Sequence, residues 1–277
     1  MKTYADRLKE HLGIYRTSGL GVPENQKGVW SRNGREYDHI LPASLLQLNI
    51  LETIRREFWE FVPTQRIKLH KDFAHLNSSQ ALTFNLFFPF FGMSKTHPDA
   101  RPERLLEALG LLRMEVKDWG FERILNPLEE TNFDFYVEFM EGQRAVIEVK
   151  LTEREFGVSV ANPERLRKLK EIYLPNLQGK VRCELLEEEA FFARYQLLRN
   201  VSYADAVNGD CAIFLLPRAN VALAKAAEEF FAQDLLPSIR PYVAIYYLED
   251  VLQTLGEMDL PPWLETHRRL LVEKYVI

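Results

Sequence analysis

A chain of 277 residues, 47% hydrophobic and 27% charged, has the profile of a globular protein long enough to bury a full core. Its two cysteines, Cys183 and Cys211, are far apart and match no CxxC pattern, which excludes a disulfide framework and a cysteine-rich zinc site. A formal net charge of −5 argues against a protein that coats nucleic acid by neutralising many phosphates, although a local basic groove remains compatible with it.

In chain order, Met1 to Tyr15 reads as a short amphipathic helix, followed by a loop to about Pro42. Charges interrupt that first segment, and no uncharged apolar run approaches ~20 residues, so the expectation is a soluble, unexported, cytoplasmic protein with no membrane partner. From Ala43 to Val62, Leu51, Ile54, Phe58 and Phe61 recur at helical spacing, and Pro63 is expected to end that helix. Asn77 to Gln80 offers a cap for the apolar run Ala81 to Phe88, with Pro89 closing it. A helix is predicted from Pro102 through Leu105, Leu106, Leu109, Leu112 and Val116 to about Lys117. The period then changes to two. Phe121 to Leu125, Asn132 to Phe139 and Ala145 to Leu151 read as a three-strand meander. Helices are expected at Pro163 to Tyr173, Glu184 to Asn200, Ala222 to Leu236 and Pro262 to Lys274, with strands at Cys211 to Leu216 and Tyr242 to Leu248. This order describes an α/β sheet covered by helices.

The second and third strands carry the chemistry. Phe133, Phe135, Val137 and Phe139 share one face of the first, and Asn132, Asp134, Tyr136 and Glu138 the other. Glu148 and Lys150 project from one side of the next strand, between Ile147, Val149 and Leu151. Residues opposite each other in an antiparallel pair point to one face, so an odd loop brings both polar faces together. A loop Glu141-Gly142-Gln143 sets Met140 against Arg144 and Asp134 against Lys150. Glu148 is then diagonal to Asp134, roughly 7–8 Å away between backbone positions.

Asp134, followed across a hairpin by Glu148-Val149-Lys150 and the exit Leu151-Thr152-Glu153, resembles the PD-(D/E)XK nuclease superfamily. The resemblance spans the element order from about Asn77 to Leu216, with Phe133 in place of the proline that names the motif. It implies a restriction endonuclease-like core: a mixed central sheet with an antiparallel meander flanked by helices. Residues 1–76 would form an N-terminal helical extension packed on a nuclease-like domain, 77–277. The implied activity is metal-dependent hydrolysis of DNA phosphodiester bonds, endo or exo. Asp134 and Glu148 would bind Mg²⁺ or Mn²⁺, and Lys150 would position or activate the attacking water. The further carboxylate that many members place on the preceding helix is open here between the positions of Gln80, Glu103 and Glu107. Gln196 is similar in position to a glutamine of the exonuclease-like branches, with Arg199 on its helix face and Asn200 where those branches carry an aromatic residue.

Two basic segments are candidates for phosphate contacts. One is Arg165, Arg167, Lys168, Lys170, Lys180 and Arg182; the smaller is Arg66, Lys68, His70 and Lys71. The histidines lack metal-ligand spacing, and Phe84 to Phe91 reads as core. The competing function is a catalytically inactive protein of nuclease fold that binds nucleic acid or protein.

Overall fold

The computed structural model describes residues 2–111 and 115–277. Helix α1 (Tyr4–Ser18) precedes a hairpin of β1 (Gly28–Trp30) and β2 (Arg35–Tyr37). Helices α2 (Arg55–Gln65), α3 (Ser79–Phe91) and α4 (Pro102–Ala108) lead to β3 (Val116–Ile124), β4 (Asn132–Phe139) and β5 (Arg144–Val149). Four short helices follow: α5 (Pro163–Lys168), α6 (Leu174–Leu177), α7 (Glu188–Ala193) and α8 (Tyr195–Val201). The chain ends with β6 (Cys211–Leu216), α9 (Val221–Glu229), β7 (Val243–Tyr247), α10 (Leu248–Glu257) and α11 (Pro262–Tyr275).

Strands β3 to β7 form one sheet in sequence order, antiparallel from β3 to β5 and parallel from β5 to β7. Parity divides its central strands. Phe135, Val137, Ala145, Ile147, Val149, Ile213 and Leu215 enter one apolar cluster with α1, α3, α4, α10 and α11. Tyr136, Val146, Ala212, Phe214 and Leu216 enter a second, under α5 to α9. Parallel pairing brings crossover helices onto both faces. The even face of β5, read from the sequence as a polar face, is therefore covered as well. The aromatic run of α3 packs on the odd face, with Phe87 stacked on Phe135 at 4.3 Å between ring centroids.

The β4–β5 register differs from the sequence expectation. Glu138 pairs with Arg144 and Phe135 with Ile147, and Phe139 N–H bonds to Gln143 O. The loop has three residues as expected, but they are Met140-Glu141-Gly142. A three-residue loop places its left-handed residue last, and Gly142, with φ 95, meets that need. Among the paired residues the face parity is unchanged, and Asp134 and Glu148 lie just past the last pair, Phe135–Ile147.

Other boundaries move for local reasons. The expected Ala43–Val62 helix is a 3₁₀ turn, Ala43–Asn49, and a separate α2, with a break where Leu51 N–H bonds to Asn85 Oδ1. Pro63 lies inside the last turn of α2, and Pro89 inside α3. Pro89 denies Asn85 O its helical donor, and His267 Nε2 reaches that carbonyl at 2.7 Å instead. The helix predicted to Lys117 stops at Ala108, and Val116 to Gly120 belong to β3; Leu112 lies outside the described residues. The predicted Glu184–Asn200 helix breaks at Arg194, φ −124. Hairpin β1–β2 and helix α10 were not expected, though Leu248, Val251, Leu252 and Leu255 of α10 have helical spacing.

A buried polar network joins distant parts of the chain. Asn85 Nδ2 donates to Asn49 O and Tyr275 Oη, and Lys274 Nζ donates to Asn49 O and Oδ1. Asn49 in turn donates to Phe73 O and His75 O. Buried polar groups of this kind are costly once unpaired. Asn85→Ala should lower the unfolding free energy by about 3 kcal/mol or more, since it strands several buried partners. Urea denaturation measures this; a change within about 0.5 kcal/mol, the size typical of an indifferent surface substitution, would show that the network contributes little.

Candidate functional site

Asp134, Glu148 and Lys150 meet where β4 and β5 part. Regular pairing stops at Phe135 and Ile147, and beyond it Val149 N–H donates to Asp134 Oδ2 at 2.7 Å. The side chain of Asp134 thus takes a main-chain donor that the neighbouring strand would otherwise accept. Phe133, expected on the face of Phe135, lies on the other one, its ring 4.7 Å from that of Tyr203. The strand turns over at the point where the ladder ends.

Glu148 and Lys150 are only 5% and 7% exposed. Glu148 Oε1 accepts from Lys150 Nζ at 2.8 Å, and Oε2 accepts from Arg199 at 2.7 Å and from Asn200 at 3.1 Å. Burial by itself would push the Glu148 carboxyl up, but Lys150 and Arg199 prevail and hold it at about 2. Burial likewise disfavours the Lys150 ammonium, and Glu148 beside it more than compensates, raising its pKa. Among the described residues no cation bonds to the Asp134 oxygens. Burial and then the Glu148 carboxylate push its carboxyl well above the usual aspartate range, and Lys150 lowers it only in part.

A third carboxylate, missed in the sequence, is Glu122 of β3. Pairs Phe121–Phe135 and Arg123–Phe133 flank Glu122 and Asp134, and Glu122 has φ 51, a conformation rarely adopted by residues other than glycine. Burial raises its pKa, while a hydrogen bond from Gln80 opposes the rise. Of the three open positions, Gln80 is the one at the site. Its Nε2 donates to Glu122 Oε1 at 2.8 Å and to Lys68 O at 3.1 Å, and its Oε1 accepts from His70 N–H at 2.8 Å. Glu103 and Glu107 are exposed on α4.

Arg199 and Asn200, set beside the site by α8, were noted only as neighbours of Gln196. Among the described residues Gln196 makes no hydrogen bond to the three central side chains, and its Oε1 is buried without a partner. Its amide lies against Gly157, where an added Cβ would stand 2.5 Å from Gln196 Cδ.

A cleft of about 1110 Å³ opens beside the site. Glu122, Asn132, Thr152 and Glu153 line one side, and Arg32, Arg66, Lys68, His70 and Lys71 the other. The smaller basic segment is thus the one that lines it. In the larger, Arg167 pairs with Glu171 at 2.7 Å, Lys168 with Glu164 at 2.8 Å and Lys180 with Ala204 O at 2.5 Å.

The donor set fits a hard, oxygen-seeking divalent cation. Asp134 Oδ1 has no hydrogen bond among the described residues, and Lys150 offsets the charge of its ionised form only in part. No group of three His, Cys, Asp or Glu among those residues forms a ready-made cage, whereas Mg²⁺ uses one or two carboxylates with water and phosphate.

A mixed five-stranded sheet flanked by helices, with acidic residues and a lysine where the meander opens, is a restriction endonuclease-like fold. The chain belongs to the family described as Restriction Endonuclease associating with ARP, whose model matches residues 9–276. Neither a curated protein nor a solved structure gives a significant match.

Because folding raises the pKa of Asp134, its ionisation lowers stability as pH rises above the unfolded value of 3.8. In chelator at neutral pH, Asp134→Asn should therefore melt above the wild type, by about 2–4 °C for each kcal/mol relieved, since the amide oxygen still accepts from Val149 N–H. The difference should vanish below pH 3.8. A lower melting temperature for the variant at pH 7 would contradict the assignment of Asp134 as a carboxyl whose ionisation the fold opposes.

Proposed function

We propose that the protein is a Mg²⁺- or Mn²⁺-dependent nuclease that hydrolyses DNA phosphodiester bonds at Asp134, Glu148 and Lys150. The observation that carries this reading is Asp134, with one oxygen on Val149 N–H, beside the Glu148–Lys150 pair, next to a cleft that Glu122 lines on one side and basic residues on the other. We further assign residues 1–76 as an extension packed on a nuclease-like domain of 77–277. Free Cys183 and Cys211 fit a reducing cytoplasm, and no helix among the described residues is long and apolar enough to cross a membrane.

Asp134 and Glu148 would hold the cation, which when bound polarises the scissile phosphate and lowers the pKa of a coordinated water. Lys150 stays an ammonium beside Glu148, which suits it to orient the attacking water and offset phosphate charge rather than to remove a proton. Arg199 and Asn200 position Glu148 by engaging Oε2. Gln80 and Glu122 tie this wall to the basic segment that would hold neighbouring phosphates. Gln196, on the same helix as Arg199, keeps its proposed polar role through a buried Oε1 without a partner, its amide resting against Gly157. The reading of an inactive binding module draws support from Gln80, which stands where a helix carboxylate would; Asp134, the Glu148–Lys150 pair and Glu122 of β3 support the catalytic one.

Cleavage of plasmid and of labelled linear DNA by purified protein should require Mg²⁺ or Mn²⁺ and cease in chelator. Lys150→Ala should reduce the rate by about 10²–10³, as removal of a transition-state donor does elsewhere. Metal-independent cleavage, or full activity of the Lys150 variant, would refute the mechanism.

Arg199→Leu should remove one of the two cations holding Glu148 down, so the carboxyl rises from about 2 toward its ordinary 4.5. An NMR titration of the Glu148 carboxyl in metal-free protein should follow that rise. An unshifted titration would mean that Arg199 serves only packing.

A further inference from the structure

Hairpin β1–β2 stands apart from the main sheet and carries Arg32 to the lip of the cleft. Residues 31–36 are all exposed. The turn is nevertheless well defined. Asn33 and Gly34 N–H both bond to Trp30 O, Asn33 Oδ1 accepts from Arg35 N–H, and Asn33 Nδ2 donates to Tyr37 Oη. Gly34, φ 68, supplies the left-handed residue. At the base, Gly28 N–H bonds to Ile40 O, and the Trp30 ring packs edge-on against Tyr37 and His75. The projection is thus a stiff two-stranded ribbon on an aromatic footing.

Its faces differ in charge. Trp30 pairs with Arg35, which puts them on one face, and the Arg32 guanidinium lies 5.6 Å over the Trp30 ring. Arg35 has no ion pair among the described residues, and Arg32, 60% exposed, is only 3.8 Å from Asp72 at the cleft. The acidic residue of the hairpin, Glu36, pairs with Val29 on the opposite face. Asp38 is occupied by Lys27 and Arg16.

We infer that this hairpin enters the major groove of duplex DNA, with Arg32 and Arg35 meeting base edges while Arg66, Lys68 and Lys71 hold the backbone. The inference rests on the nuclease reading and adds the element that would engage the duplex. A two-stranded ribbon fits the B-form major groove, about 12 Å wide, and arginine forks match the guanine edge there. The deep, narrow major groove of A-form RNA admits no such ribbon. Phosphate contacts position the duplex without reading it, so the two groups of cations should separate by experiment.

The test is fluorescence anisotropy of the full chain, with Ca²⁺ in place of Mg²⁺, on labelled duplex DNA, the corresponding single strand and a duplex RNA of the same sequence. The wild type should favour duplex DNA by about tenfold or more over each of the others. The double variant Arg32→Ala, Arg35→Ala should lose most of that preference and keep its single-strand affinity within about twofold, while Lys68→Ala should weaken all three alike. Both arginines are exposed, and an unchanged melting temperature confirms a folded variant. An unchanged preference in the double variant, equal loss on every ligand, or a wild type that favours single strand or RNA would overturn the inference. Absence of metal-dependent cleavage with the duplex preference intact would refute the nuclease reading and leave the hairpin's role standing.

Discussion

The site depends on a charge placed inside a sheet that is covered on both faces. Glu148 sits on β5, where antiparallel pairing gives way to parallel, and a lone carboxylate there would carry a large desolvation penalty. Lys150, Arg199 and Asn200 satisfy it, and each contact constrains something larger. Arg199 fixes the approach of α8, and its guanidinium lies 5.3 Å over the ring of Phe133, which has turned to that face. Behind it, Tyr203 and Tyr173 donate to the fully buried Glu129, whose side chain also favours the Arg199 charge.

The two carboxylates at the centre stand in opposite electrostatic conditions. Glu148 is held ionised by cations of the chain, whereas Asp134 is held back from ionising by burial and by Glu148 itself. Glu122 adds backbone strain and another carboxylate pushed upward. Such concentrations of unrelieved charge and strain occur where a ligand is to be received, since the rest of the fold supplies the stability they cost. Here the stacked aromatics of α3 and β4 lie directly behind the strands concerned, and the polar network around Asn85 ties α3 to the rest of the fold.

Gln80 links this acidic wall to the basic one. By bonding Glu122 on one side and the backbone of Lys68 and His70 on the other, it sets the two walls at a fixed separation. A protein with a net charge of −5 can thus present a local strip of cations opposite its acidic residues. The composition argued only against uniform coating of nucleic acid, and the arrangement of charge is consistent with that.

The period-two pattern made the paired part of the hairpin legible, Phe135 to Phe139 and Ala145 to Ile147, because alternation is a property of neighbouring residues and survives a register shift of two; it broke at Phe133, where the strand turns over beside Asp134. Strand β6 and the terminal helix were legible for the same local reason. The loop position was not, since it turned on where Gly142 takes its positive φ. Nor could local pattern show that the polar face of β5 is buried, because what covers it comes from α5 to α9. Glu122 and Arg199 became part of the site only through tertiary structure: the first through a neighbouring strand whose register was unread, the second from a residue 51 positions away. The sequence by itself determined which side chains could meet, and the packing of distant elements decided which did, because a buried charge takes its partners from whatever the fold brings within hydrogen-bond reach.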